Sequence, residues 1–191
     1  MIVYVHGFNS SPASTKARQL GTRLAAMGMA DRFRCPALPH RPADAIALLE
    51  SGIRGVPPEH ITLVGSSLGG YYSTWLAERH GVRAVLVNPA ITPQLGLQAY
   101  LGEQRNLYTG EAYQLTRTHL DELSSLWVER PTRMDRYLLM VTTGDEVLDY
   151  REAVARYAGA DQLVVQGSDH GFAEFEQYLD RVLRFAGIEA A

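Results

Sequence analysis

The chain has a single cysteine, Cys35, in 191 residues. One thiol forms no intrachain disulfide and no cysteine-based zinc site. At Cys35 it reads as a small core residue. Basic residues are in slight deficit, with a formal net charge of −3. A general nucleic-acid binder needs a basic face to neutralise phosphates, so that class is excluded. No apolar run approaches the ~18 residues that cross a bilayer. The opening MIVYVHGF has no basic segment, long apolar stretch or small-residue cleavage site. A soluble cytoplasmic protein is therefore expected. The glycines make neither a G-x-G-x-x-G fingerprint nor a phosphate loop followed by GK[ST]. Internal repeats and low-complexity tracts are missing too. What remains is a globular composition, 46% hydrophobic, and a length that suits one domain.

Short apolar runs alternate with helical patterns. Ile2–Val5 reads as a strand. Ser11-Pro12 then resembles a helix start, with Ala17, Leu20, Leu24 and Met27 at helical spacing and a stop near Gly28. Residues 33–38 read as an edge strand, because Pro36 cannot join a central ladder. Helix is expected over 42–53 and 68–80, and strand over 61–64, 84–87 and 137–141. Leu163–Val165 repeats the apolar character of those strands, and helices over 151–158 and 172–186 complete the pattern. The alternation predicts an α/β fold with a mainly parallel sheet flanked by helices. Residues 91–136 break the rhythm without a clear strand. They are expected to form a small helical cap inserted into a single domain, 1–191.

One stretch carries chemistry. Gly65-Ser66-Ser67-Leu68-Gly69 fits G-x-S-x-G between a strand and a helix. A sharp strand-to-helix turn strains its central residue, and glycines two before and two after remove side-chain collisions. The frame selects Ser67 over Ser66 as a nucleophile. A serine hydroxyl needs a base, and the base an orienting acid. In this arrangement the chain order is serine, acid, histidine. His80, His119 and His170 follow Ser67. His80 reads as a helix C-cap and His119 as a surface residue of the insertion. His170 stands in a loop after the last strand, where it can reach Ser67. After the preceding strand, Asp145, Glu146 and Asp149 compete for the acid. Asp145 is preferred because it follows the strand directly. Asp149 is placed to cap the next helix, and Glu146 reads as a solvated neighbour. An oxyanion needs N–H donors, for which the backbone N–H groups of Leu68 and Phe8 are the candidates. His6 reads as a brace for the loop that holds Phe8.

The stretches YVHGFNSSP, VGSSLGGYYSTWLAE, VNPA, YTG, TGDEVLDYREAV and GSDHGFAEFE resemble the YqiA-type esterases, a family of small serine hydrolases in the α/β-hydrolase superfamily. The similarity runs along nearly the whole chain. It implies a serine esterase acting on a small-molecule acyl ester, or on a thioester such as a fatty acyl-CoA. The implied triad is Ser67, Asp145 and His170, with no metal or organic cofactor. Two rival readings are another reaction on the same fold, amide or C–C bond hydrolysis, and a binding protein that retains the fold. The sequence says nothing of oligomeric state.

Overall fold

The computed structural model describes residues 1–188. Its centre is a six-stranded parallel sheet in the order β2-β1-β3-β4-β7-β8. The strands are β1 (Ile2–Val5), β2 (Phe33–Arg34), β3 (Thr62–Ser66), β4 (Arg83–Val87), β7 (Tyr137–Thr142) and β8 (Asp161–Val165). Helices α1 (Thr15–Ala26), α2 (Pro42–Ile53), α3 (Leu68–His80), α6 (Tyr150–Arg156) and α7 (Leu179–Phe185) surround it.

Strand alternation divides the core in two. Val3, Val5, Leu63, Ala84, Leu86, Leu139 and Val141 meet α2 and α3 on one face. Ile2, Tyr4, Val64, Val85, Val87, Leu138 and Met140 meet α1 and α7 on the other. Each central strand is thus apolar on both sides, because side chains alternate and both faces are covered. Among the described residues no helix is long and apolar enough to cross a membrane.

Several boundaries differ from the sequence expectation. Helix α1 begins at Thr15 with Ser14 as N-cap, not at Ser11-Pro12. Ser11 instead closes a turn: its carbonyl accepts the Ser14 N–H at 3.1 Å, and its hydroxyl accepts the Ala13 N–H at 3.0 Å. Strand β2 is reduced to two residues, at the edge as Pro36 requires. Strand β8 is the opposite edge and exposes Val164, so it lacks the two buried faces of its neighbours. The last helix starts only at Leu179, after a 3₁₀ turn over Phe175–Tyr178.

The insertion contains helices α4 (Pro93–Gly96) and α5 (Arg117–Ser125). It also contains an antiparallel hairpin of β5 (Gly102–Arg105) and β6 (Ala112–Leu115). The sequence conceals the hairpin because Gly102-Glu103-Gln104-Arg105 has no apolar face. Polar bonds hold it instead. The Asn106 side-chain oxygen accepts the N–H groups of Tyr108 and Thr109 at 2.9 and 3.0 Å, folding the tip.

Candidate active site

All main strands run the same way, so their carboxyl ends share one edge of the sheet, the usual position for a site in an open α/β fold. Ser67 lies there, between β3 and α3, with φ 54° and ψ −120°. A positive φ at a serine costs on the order of 1–3 kcal/mol and persists only where neighbours enforce it. Here the Ser67 N–H donates to the Val87 carbonyl at 3.0 Å, and the Ser67 carbonyl accepts the Ala90 N–H at 3.1 Å. The bracketing glycines are required. A Cβ at Gly69 would lie 1.9 Å from the Val5 carbonyl oxygen, and one at Gly65 would lie 2.3 Å from the Gly69 oxygen.

The turn presents Ser67 to His170. The serine hydroxyl lies 3.1 Å from His170 Nε2, and His170 Nδ1 lies 2.8 Å from Asp145 Oδ2. The other Asp145 oxygen accepts the N–H groups of Val147 and Leu148 at 2.8 and 2.9 Å. Burial alone would push the Asp145 carboxyl up. The bonds from His170, Leu148 and Val147 outweigh it and hold the group below its ordinary range. Asp145 is thus an ionised acceptor whose side chain is only 2% exposed. Asp149 is elsewhere, its carboxylate accepting the Arg151 N–H at 3.0 Å as the N-cap of α6.

The loop that carries His170 is held by its backbone. Glu146, expected to be merely solvated, accepts the His170 N–H at 3.0 Å. The Asn88 amide donates to the His170 carbonyl at 3.1 Å, and the Thr142 hydroxyl donates to the Asp169 carbonyl at 2.9 Å. Asn88 follows β4 with φ 41° and is buried. Neither Asn88 nor Thr142 stands out in the sequence. The signal is a polar side chain at the carboxyl end of a fully apolar strand. Gly144 completes the fit, since a Cβ there would lie 2.3 Å from the Ser168 carbonyl oxygen.

His80, His119 and His6 have other partners. His80 does not cap its helix. It pairs with Glu50 Oε1 at 2.8 Å. His119 is buried, not a surface residue, and its Nδ1 accepts the Thr116 N–H at 3.2 Å at the start of α5. It is buried because α5 turns that face onto the main body, with Leu120 and Leu123 in the core. His6 is a brace as expected. Its Nε2 accepts the Leu38 N–H at 3.0 Å, which leaves the proton on Nδ1, 3.2 Å from the Gly7 carbonyl oxygen.

That brace fixes the loop beside Ser67. A Cβ at Gly7 would lie 3.2 Å from Ser67 Cβ and 3.7 Å from the Leu68 nitrogen, so the Phe8 loop runs directly against the start of α3. Leu68 is the first residue of α3, where N–H groups have no helical acceptor and favour negative charge.

The match to known proteins agrees with this architecture. The model of the family described as "Uncharacterised protein family (UPF0227)" matches residues 1–187. The chain belongs to this family. Its membership accords with the resemblance to YqiA-type esterases. It is 30% identical over 140 residues to alpha/beta hydrolase domain-containing protein 17C of Xenopus tropicalis; the match covers 71% of this chain and 41% of that protein. The chain therefore spans well under half the length of that relative. In fold it is similar to alpha/beta hydrolase domain-containing protein 10 from mouse, with a TM-score of 0.73 at 15% identity, covering 96% of this chain and 89% of that one. It is also similar to Est1E from Butyrivibrio proteoclasticus, with a TM-score of 0.67 at 15% identity, covering 97% and 84%. The fold is that of the α/β-hydrolases.

In this family member Ser67 and His170 open onto a pocket of about 350 Å³. Gly7, Phe8 and Lys16 line it, and the hairpin tip contributes Leu107 and Tyr108. The hairpin is fastened to the Phe8 loop through Asn9, whose own φ is 51°. Asn9 Oδ1 accepts the Tyr113 hydroxyl at 2.8 Å, and the Asn9 carbonyl accepts the Leu107 N–H at 3.0 Å. Phe8 meets Tyr100 of the insertion edge-on, with ring centroids 6.2 Å apart.

Proposed function

We propose that the protein is a serine esterase that hydrolyses acyl esters, including acyl thioesters, through an acyl-enzyme. The observation that carries this reading is the unbroken chain from Ser67 through His170 to Asp145, at 3.1 and 2.8 Å. Asp145, ionised and buried, accepts the Nδ1 proton of His170 and so leaves Nε2 free to accept. His170 then takes the Ser67 proton as the serine oxygen attacks the acyl carbonyl. The developing oxyanion lies against the backbone N–H groups of Leu68 and Phe8. His170 returns the proton to the departing alcohol or thiol. A water activated by the same imidazole hydrolyses the acyl-serine and restores the free hydroxyl. Every step runs on groups of this chain, with no cofactor in the scheme.

The insertion over residues 91–136 is the lid in this reading, and Leu107 and Tyr108 are its contacts with substrate. The naming of the relatives as alpha/beta hydrolase domain-containing proteins supports the reaction class. The test is labelling with a fluorophosphonate followed by mass mapping. An adduct on Ser67, matched by loss of turnover of short p-nitrophenyl esters, is the expected result. An adduct on Ser66, or turnover that survives full labelling, overturns the reading.

A further inference from the structure

Resting on that reading, we infer that the Ser67 pocket contains an anion subsite. Lys16 and the first turn of α1 build it, and it selects substrates whose leaving group carries a carboxylate or phosphate. Lys16 is the sole lysine or arginine among the residues lining the pocket. Its ammonium donates to the Gly171 carbonyl at 2.5 Å. Among the described residues it takes part in no salt bridge. An ammonium has three donors, and one carbonyl satisfies only one of them. A charge withdrawn from water is costly unless it is paired. Burial accordingly pulls the Lys16 ammonium below its ordinary range, opposed only in part by the charges of Asp169 and Asp145.

The helix end supplies a second observation. Ser14 makes no side-chain cap, and no acidic residue stands in the first turn of α1. The early N–H groups of α1 therefore lack a side-chain acceptor and carry the positive end of the helix dipole. Ser14 lines the same pocket and is 8% exposed. Its Oγ is shut off from solvent near the Tyr4 hydroxyl, yet meets no hydrogen-bond partner of good geometry. An anion placed here meets the ammonium and the helix end together.

The chemistry of the triad assigns the anion to the leaving group. His170 must deliver its proton to the departing oxygen or sulfur, so the leaving group lies on the His170 side. Gly171 and Lys16 are on that side.

The experiment compares butyrate esters of 4-nitrophenol, 3-carboxy-4-nitrophenol and the 3-phosphono analogue on wild type, Lys16→Met and Lys16→Glu. The readout is the ratio of kcat/KM between charged and neutral leaving groups. Both rates can fall in the Lys16 variants, because the bond to Gly171 is also lost. Wild type is expected to favour at least one charged ester by about tenfold or more, the scale of one charge-assisted hydrogen bond. The larger of the two charged ratios identifies the anion. Lys16→Met brings the ratio toward one, and Lys16→Glu inverts it. A wild-type ratio near one, or a ratio unmoved by Lys16→Met, overturns the subsite. Fluorophosphonate labelling of Ser67 in each variant separates the two readings. A labelled, active enzyme with an unmoved ratio sinks the subsite alone, whereas an unlabelled Ser67 in wild type sinks the esterase reading itself.

Discussion

Asn88 holds His170 by its backbone, not by its ring: the amide of Asn88 donates to the His170 carbonyl at 3.1 Å. The same side chain accepts the Thr142 N–H at 2.9 Å, tying the ends of β4 and β7 to the loop. Imidazole placement thus depends on a residue that touches no reacting atom. Asn88→Ala should lower kcat by about tenfold or more while KM changes little, because misplacing a catalytic group by a fraction of an ångström slows the chemistry. It also leaves the Thr142 N–H buried and unpaired, which costs about 1–3 kcal/mol. Steady-state kinetics with a denaturation curve tests both parts. Loss of stability with unchanged kcat reduces Asn88 to a structural residue.

Ser67→Ala should lower kcat by about 10⁴-fold or more, as removal of a triad nucleophile does elsewhere. Ser66→Ala should keep most of the activity. Ser66 is the last residue of β3, its side chain close to the Tyr4 hydroxyl, and it makes no bond to His170. An active Ser67→Ala enzyme would falsify the assignment.

Asp145 and Asp149 separate by readout. Asp145→Asn removes the charge that fixes the imidazole tautomer, so turnover should collapse by about 10⁴-fold with the fold retained. Asp149→Ala removes the N-cap of α6 and its exposed pair with Arg151. It should lower the thermal midpoint and leave kcat nearly intact. The reverse pattern would make Asp149 the acid.

The ordering of the main strands and helices, and the elbow that carries Ser67, were legible in the sequence because each rests on local pattern. Two-sided apolar runs mark the central strands, and G-x-S-x-G marks the elbow. Asp145 and His170 follow strands whose ends must meet Ser67 in a parallel sheet. Less legible was everything held by long-range polar bonds. The β5–β6 hairpin has no apolar alternation, since Asn9, Asn106 and Tyr113 secure it. Asn88 and Glu146 act on the His170 backbone across loops remote in sequence. His119 looked polar and exposed, yet α5 carries it into the interior.

Acid should destabilise the protein through its buried neutral imidazoles. Burial holds His6 below its ordinary value, only partly opposed by its bond to Gly7. His119 is lowered as well, by burial and then by His40. Between the folded and unfolded values the unfolded chain binds more protons, so stability rises with pH across that window. The contribution is complete above the unfolded value, about 6.5, and declines as the pH falls below it by at most ~1.4 kcal/mol per unit for each proton. Protonation also removes the acceptor that His6 Nε2 offers to the Leu38 N–H. Urea midpoints measured from about pH 8 down to about pH 5 should fall, and His6→Gln should show a shallower slope. Superimposable slopes for the two proteins would dismiss His6 as a contributor.

The hairpin tip can be separated from the core residue by residue. Leu107, at the hairpin tip, is 82% exposed and lines the Ser67 pocket, whereas Leu123 of α5 is 1% exposed and sits in the core. Leu107 has almost no burial to lose, so Leu107→Ala should leave the unfolding free energy nearly unchanged. In the bound state its methyls can cover an acyl or leaving-group chain, each methylene that loses contact mattering by up to ~1 kcal/mol. Leu107→Ala and Tyr108→Ala should therefore shift the dependence of kcat/KM on chain length. Leu123→Ala should instead cost about 2–5 kcal/mol of stability through the cavity it leaves, and keep the wild-type profile. The measurement is a p-nitrophenyl ester series from about two to about sixteen carbons, assayed on variants that unfold cooperatively. If Leu107→Ala and Tyr108→Ala reproduce the wild-type profile across the series, the hairpin only closes the surface and the chain is bound elsewhere. If the profile shifts in Leu123→Ala as well, the effect comes from loosening of the whole insertion, not from contact at the tip.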